Sequence, residues 1–192
     1  MITENINDLR RKILDQDGMI VWLTGLPGSG KSTLAGQLEQ KLLQQGLFCY
    51  ILDGDVLRNG LNSDLGFSDA DRNENIRRIA EVAVLLKNAS VITIVAFISP
   101  FSKMREFARS RAGNERFIEV FVKASLETCI KRDPKGMYKK ALSNQILHFT
   151  GITSAYEEPE NPELVIDTDL LTVEESADIL YNYVMMVRNN KK

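Results

Sequence analysis

The chain is short of several things, and each shortage removes a class of function. Among its 192 residues there are two cysteines, Cys49 and Cys129, far apart in sequence. Cys49 lies in a strand-like apolar run and Cys129 in a helix-like one, so they read as buried thiols suited to a reducing compartment, not as a disulfide or a metal pair. Charge of one sign is also lacking: 24 Lys and Arg face 26 Asp and Glu. No global field draws the protein to nucleic acid or a lipid surface, so any anion binding falls to local clusters. No apolar run reaches the length of a membrane span, and residues 1–17 are polar, without the apolar centre of a secretory signal. Internal repeats are missing. These absences predict a cytoplasmic protein that binds neither nucleic acid nor membrane. The apolar fraction of 44% is enough for the core of one α/β domain.

What is present is organised around Gly25-Leu-Pro-Gly-Ser-Gly-Lys31-Ser32, preceded by the apolar run Met19 to Thr24 and followed by a helix-forming segment, Thr33 to Gln45. Strand, glycine-rich turn and helix are the context in which G-x-x-x-x-G-K-[ST] becomes a phosphate site. Its glycines let backbone N–H groups converge on phosphate oxygens, and the helix N-terminus adds its positive dipole end. Lys31 can reach the β- and γ-phosphates, and the Ser32 hydroxyl is placed for Mg²⁺. The plain alternative is a glycine-rich turn that binds nothing. With every motif position filled in context, the sequence points to a nucleoside triphosphate, with ATP as donor and Mg²⁺ as cofactor.

Residues 3–16 carry Ile6, Leu9, Ile13 and Leu14 at helical spacing, which predicts an N-terminal helical segment over 1–17, packed on the domain or on a partner. Residues 18–192 are expected to form one P-loop domain. Further strands are predicted at Leu47 to Leu52, Val91 to Ile98, Phe117 to Val122 and Leu164 to Ile166, with helices between them. Ser68 is a helix N-cap, Thr172-Val-Glu-Glu175 a capping box, and Gly46 is placed to cap the first long helix. The segment 135–162 is polar, basic and broken by Pro and Gly, and is expected to be a mobile lid. Alternating strands and helices predict a three-layer αβα domain of the P-loop NTPase type with a five-stranded parallel sheet. Ligands of such sheets sit beyond the carboxyl ends of the strands.

At those ends stand the residues able to do chemistry. Asp53 and Asp55, two apart with Gly54 between, leave one face of an extended chain. Such a pair near a triphosphate can hold Mg²⁺ and accept a proton from an attacking hydroxyl. The third strand runs into Ser99-Pro100 and the fourth into Lys123, so neither ends in an Asp for Mg²⁺. Arg58 falls in the first turn of a helix, a poor place for a cation unless an anionic ligand is there. Arg72 and Asn75 share a helical face, whereas Arg77 and Arg78 read as a solvated or ion-paired one.

Several blocks carry a resemblance. Leu52-Asp53-Gly-Asp55-Val-Leu-Arg58, Gly66-Phe67-Ser-Asp-Ala-Asp-Arg72-Asn-Glu-Asn75, Ile98-Ser99-Pro100-Phe101, Asp133-Pro-Lys-Gly136-Met-Tyr-Lys139-Lys140 and Phe149-Thr-Gly-Ile152 resemble, in order, the signature blocks of the adenylylsulfate (APS) kinases. The resemblance spans roughly Gly18 to Thr168. It implies γ-phosphoryl transfer from ATP to the 3′-hydroxyl of adenosine 5′-phosphosulfate, and a homodimer working in sulfate assimilation. By the same resemblance Gly25, Leu26, Pro27, Gly28, Ser29, Gly30, Lys31, Ser32 and Thr33 form the ATP site, with Lys31 catalytic. Asp53 and Asp55 are the acidic pair near the 3′-hydroxyl and, with Ser32, near Mg²⁺. Arg58, Arg72 and Asn75 hold the phosphosulfate and ribose, Phe67 and Phe149 sandwich the APS adenine, and Ile98, Ser99 and Lys139 fall in blocks assigned to the acceptor. Ser99 matches a serine described as a phosphorylated intermediate, although an in-line transfer needs no covalent enzyme species. A hydrogen bond from Ser99 to substrate serves as well.

The chain departs from the family pattern at Leu142, Asn144, Gln145, Leu147, His148 and Thr153, where the family has Arg, Gly, Glu, Lys, Gly and Asp, and at Met104, where an acid is common. These changes are expected in the lid, near the acceptor, and leave the ATP half intact. His148, the only histidine, reads as a lid surface residue because Asp53 and Asp55 fill the role of base. Two other readings fit the motifs: a kinase of another nucleotide-like acceptor, such as a nucleoside diphosphoramidate, and a module that binds ATP and transfers nothing.

Overall fold

The structure, a computed structural model, describes residues 5–190. Every residue of Met19–Thr24 (β1) is buried, as a strand covered on both faces must be. Its side chains alternate, with Met19, Val21 and Leu23 in one core and Ile20 and Trp22 in another. The remaining elements in chain order are α1 (Ile6–Leu14), α2 (Lys31–Gln44), β2 (Cys49–Asp53), α3 (Gly54–Arg58), α4 (Asp69–Asn88) and β3 (Ile92–Ala96). After them come α5 (Ser102–Ala112), β4 (Phe117–Lys123), α6 (Leu126–Arg132), α7 (Met137–Leu142), β5 (Leu164–Asp167) and α8 (Val173–Asn189). The five strands are parallel in the order β2-β3-β1-β4-β5. Residues of α2 and α8 share the first core, and those of α4 and α5 the second, giving three layers. The predicted fold class is the one observed.

The local signals act as expected. Ser68 and Asp71 close a capping box on α4, Thr172 and Glu175 another on α8. Gly46 takes φ 74° just past α2. Cys49 and Cys129 are buried free thiols. Strand β3 stops at Ala96, earlier than predicted; just beyond it the Thr24 hydroxyl donates to the Ile98 carbonyl at 2.6 Å. The N-terminal helix differs from expectation. Residues 3 and 4 lie outside the described part, and no residue of α1 is buried, with Ile6 65% and Ile13 81% exposed. The chain is instead moored just after it: the buried Gln16 amide donates to Phe48 O at 2.8 Å and Ser90 O at 2.6 Å and accepts from Phe48 N at 2.8 Å.

Candidate active site

A cavity of about 820 Å³ opens at the carboxyl ends of β1, β2 and β3, where a parallel sheet presents its loops. Its floor is the glycine-rich loop, Pro27 to Ser32, running into Thr33. A Cβ on Gly25 would lie 2.4 Å from Val122 O, so no side chain fits there. Gly30, the N-cap of α2, has φ 105°, a conformation side chains oppose. Gly25 and Leu26 do not line the cavity. They act through their carbonyls, which accept from Lys31 Nζ at 2.9 and 2.7 Å. Burial pulls the Lys31 ammonium down to about 8, against the attraction of Cys129, Asp53 and Asp55.

Ser32 Oγ donates to Asp53 Oδ2 at 2.7 Å, and Asp53 Oδ1 accepts from Asp55 N at 2.9 Å, capping α3. The Asp55 carboxylate pairs with Lys135. Among the described residues no group of three or more His, Cys, Asp or Glu could cage a metal. One hydroxyl and two carboxylates are hard oxygen donors that suit Mg²⁺ bound jointly with phosphates.

The opposite wall carries nitrogen donors. The Arg58 guanidinium sits 4.3 Å over the Phe67 ring and donates to Gly66 O at 3.1 Å. Arg72 bridges two segments: Nε donates to Phe67 O at 3.0 Å, Nη1 to Thr150 Oγ1 at 2.7 Å, and Nη2 to His148 O. Burial lowers the pKa of both arginines. Asn75, Ile98, Ser99 and Phe149 complete this side. Lys139 stays outside the cavity. Its backbone N donates to Asp133 Oδ2 at 3.0 Å, helping to cap α7.

Phe67 and Phe149 differ in setting. Phe67 is 55% exposed, whereas Phe149 is 8% exposed and packs edge-on to Tyr138, ring centroids 4.9 Å apart, in a third apolar cluster with Cys129. Ser99 is buried, with φ 38°; its Oγ accepts from Trp22 Nε1 at 3.0 Å and its carbonyl from Arg105 Nη1 at 2.8 Å. Of the departures from the family pattern, only Leu147 and His148 line the cavity. Thr153 Oγ1 accepts from Phe149 N at 2.8 Å. Met104 lies outside the segment 135–162 and is buried in the core shared by α4 and α5.

At the far end of the phosphate loop the cavity is lined by Arg132, Thr168, Leu171, Val173 and Ser176, none of them singled out from sequence. Arg132 Nη2 donates to Thr168 O at 2.6 Å, and Thr168 Oγ1 donates to Ser29 O at 3.0 Å, tying the end of β5 to the loop. The strand-end rule, applied to β5 as it was to β2 and β3, signals Thr168.

A parallel sheet, a phosphate loop with its lysine and hydroxyl, an acidic pair beside them and a cationic wall across the cavity define a P-loop phosphotransferase. The sequence profile described as adenylylsulphate kinase matches residues 17–167, and the chain belongs to that family. It is 57% identical over 172 residues to a probable adenylyl-sulfate kinase of Halalkalibacterium halodurans, covering 90% of this chain and 85% of the relative. Among solved structures, the Mycobacterium tuberculosis APS kinase CysC in complex with AMPPNP and APS superposes with TM-score 0.85 at 46% identity, covering 89% of this chain and 99% of that one. A hexameric APS kinase from Thiobacillus denitrificans gives TM-score 0.69 at 32% identity, over 93% of this chain and 31% of that one.

Proposed function

We propose that the protein phosphorylates adenosine 5′-phosphosulfate at its 3′-hydroxyl, giving PAPS and ADP in sulfate assimilation. The observation that carries this reading is a single cavity with a phosphate loop at one end and Arg58, Arg72 and Asn75 at the other, a wall of nitrogen groups suited to phosphosulfate oxygens. The 3′-oxygen forms a bond to the γ-phosphorus as the bond to the β,γ-bridging oxygen breaks, and the hydroxyl proton passes to Asp53 or Asp55. ADP leaves with the electron pair. Lys31 offers its charge to the β- and γ-phosphates once drawn from its own loop carbonyls. Ser32, Asp53 and Asp55 would hold Mg²⁺, which when bound neutralises developing phosphate charge. Ser99 holds substrate at the end of β3 and carries no phosphoryl group. Phe67 and Phe149 flank the acceptor adenine, and residues 135–162 form the lid. Two copies of the chain make the working unit.

The test is purified protein with Mg-ATP and APS, products identified by mass spectrometry. PAPS and ADP in equal amounts support the reading. A phosphorylated nucleoside diphosphoramidate, with APS left unchanged, replaces it, and ATP binding without any transfer removes catalysis altogether.

A further inference from the structure

Asn62 lies outside the cavity, in the turn between α3 and α4, and is completely buried. Its backbone N donates to Leu57 O at 2.9 Å, and its side-chain Nδ2 donates to Asn75 Oδ1 at 2.6 Å. Asn75 lines the cavity beside Arg72. A carboxamide offers one carbonyl and one NH₂ group, and which of them meets a ligand depends on a rotation that leaves its shape unchanged. With the Asn75 carbonyl engaged by Asn62, the group left for the ligand is the NH₂. Asn62 Oδ1 has no partner among the described residues, so the one hydrogen bond its side chain makes is the bond that orients Asn75. Turned over, Asn75 would set a carbonyl oxygen against oxyanions that Arg58 and Arg72 attract.

We propose that Asn62 is a positioning residue that fixes the amide orientation of Asn75 and thereby makes the acceptor wall donor-only, selecting a ligand rich in oxyanion oxygens. This rests on reading that wall as the acceptor's seat. A buried hydrogen bond that reads a ligand's polar group discriminates strongly, because reversing it leaves two acceptors facing each other.

Asn62→Asp tests it. Burial raises the new carboxyl's pKa, so KM is followed as pH is raised: once ionised the group can only accept, draws the Asn75 NH₂ toward itself and turns the carbonyl into the cavity. The expected result is a rise of about tenfold or more in KM for APS, with KM for ATP within about twofold of wild type. In an Asn75→Ala background Asn62→Asp should change KM for APS by no more than about twofold. Should Asn62→Asp not fold, Asn62→Ser, too short to hold Asn75, should raise KM for APS by roughly three- to tenfold and leave that for ATP unchanged. An unchanged KM for APS, a parallel rise in both constants with a lower Tm, or an effect that persists without Asn75 would each overturn the proposal. Wild-type PAPS formation is measured first: turnover without the KM split sinks this inference alone, whereas no turnover sinks the proposed function and this inference with it.

Discussion

The Ser32 hydroxyl and the Asp53 carboxylate are joined by a 2.7 Å hydrogen bond that links the first turn of α2 to the end of β2. Asp53→Asn keeps the shape and an oxygen for Ser32 while removing the charge. It should reduce turnover at least a hundredfold, about 2.7 kcal/mol of transition-state stabilisation, with Tm within a few degrees of wild type. Steady-state kinetics and thermal unfolding check this, and near-normal turnover would take Asp53 out of both metal binding and proton acceptance.

Lys31 gives a pH dependence. Its free-protein pKa, lowered by burial to about 8, must rise when phosphates replace the loop carbonyls as its neighbours. Between the two values the complex binds more protons than the free protein, so ATP affinity falls as pH climbs through about 8. Binding near that pH should take up a proton, measurable by calorimetry in buffers of differing ionisation enthalpy. Lys31→Met should abolish the uptake.

The two phenylalanines are expected to part company. Phe149→Ala empties a buried cluster as well as one flank of the adenine, and should destabilise the fold by about 3–5 kcal/mol while weakening APS far more than ATP. Phe67→Ala removes an exposed ring and should leave Tm unchanged while raising the APS dissociation constant roughly five- to a hundredfold. Melting curves with separate ATP and APS titrations decide between this and a shared role.

Arg105 is buried, and its Nε lies 2.8 Å from Glu119 Oε1. Among the described residues no hydrogen bond reaches that oxygen, so the contact is one of charge. Arg105→Met should destabilise by about 3–5 kcal/mol because it leaves a buried carboxylate short of a partner. It also frees the Ser99 carbonyl, and kcat should fall with it. Adding Glu119→Leu should recover part of the Tm loss but none of the kcat.

For Ser99→Ala, residual turnover and inversion at a chiral γ-phosphoryl group are expected, since one in-line transfer inverts. Net retention would establish a phosphoserine step.

Fold class was legible because it rests on periodicity and punctuation, such as the buried run Met19–Thr24 and the capping boxes at Ser68 and Thr172. The floor of the site was legible for the same reason: the loop, Asp53 and Asp55 sit at predicted strand ends. Arg132, Asn62 and the buried setting of Phe149 were not, because each depends on a partner in another element that only the folded chain brings into contact, such as Thr168, Asn75 or Tyr138. The flanks of Phe149, His148 and Thr150, are polar, and its apolar neighbours arrive only when the chain folds back.

The position of β1 at the centre of the sheet sets an order on synthesis. Its hydrogen-bonding edges belong to β3 and β4, both made much later. Until Lys123 has left the ribosome, the nascent segment Met19–Thr24 is an apolar strand with an unfilled edge, and the loop after it has no rigid base. Such open strands attract other chains, so this short stretch is where a holdase chaperone would be expected to grip the emerging protein.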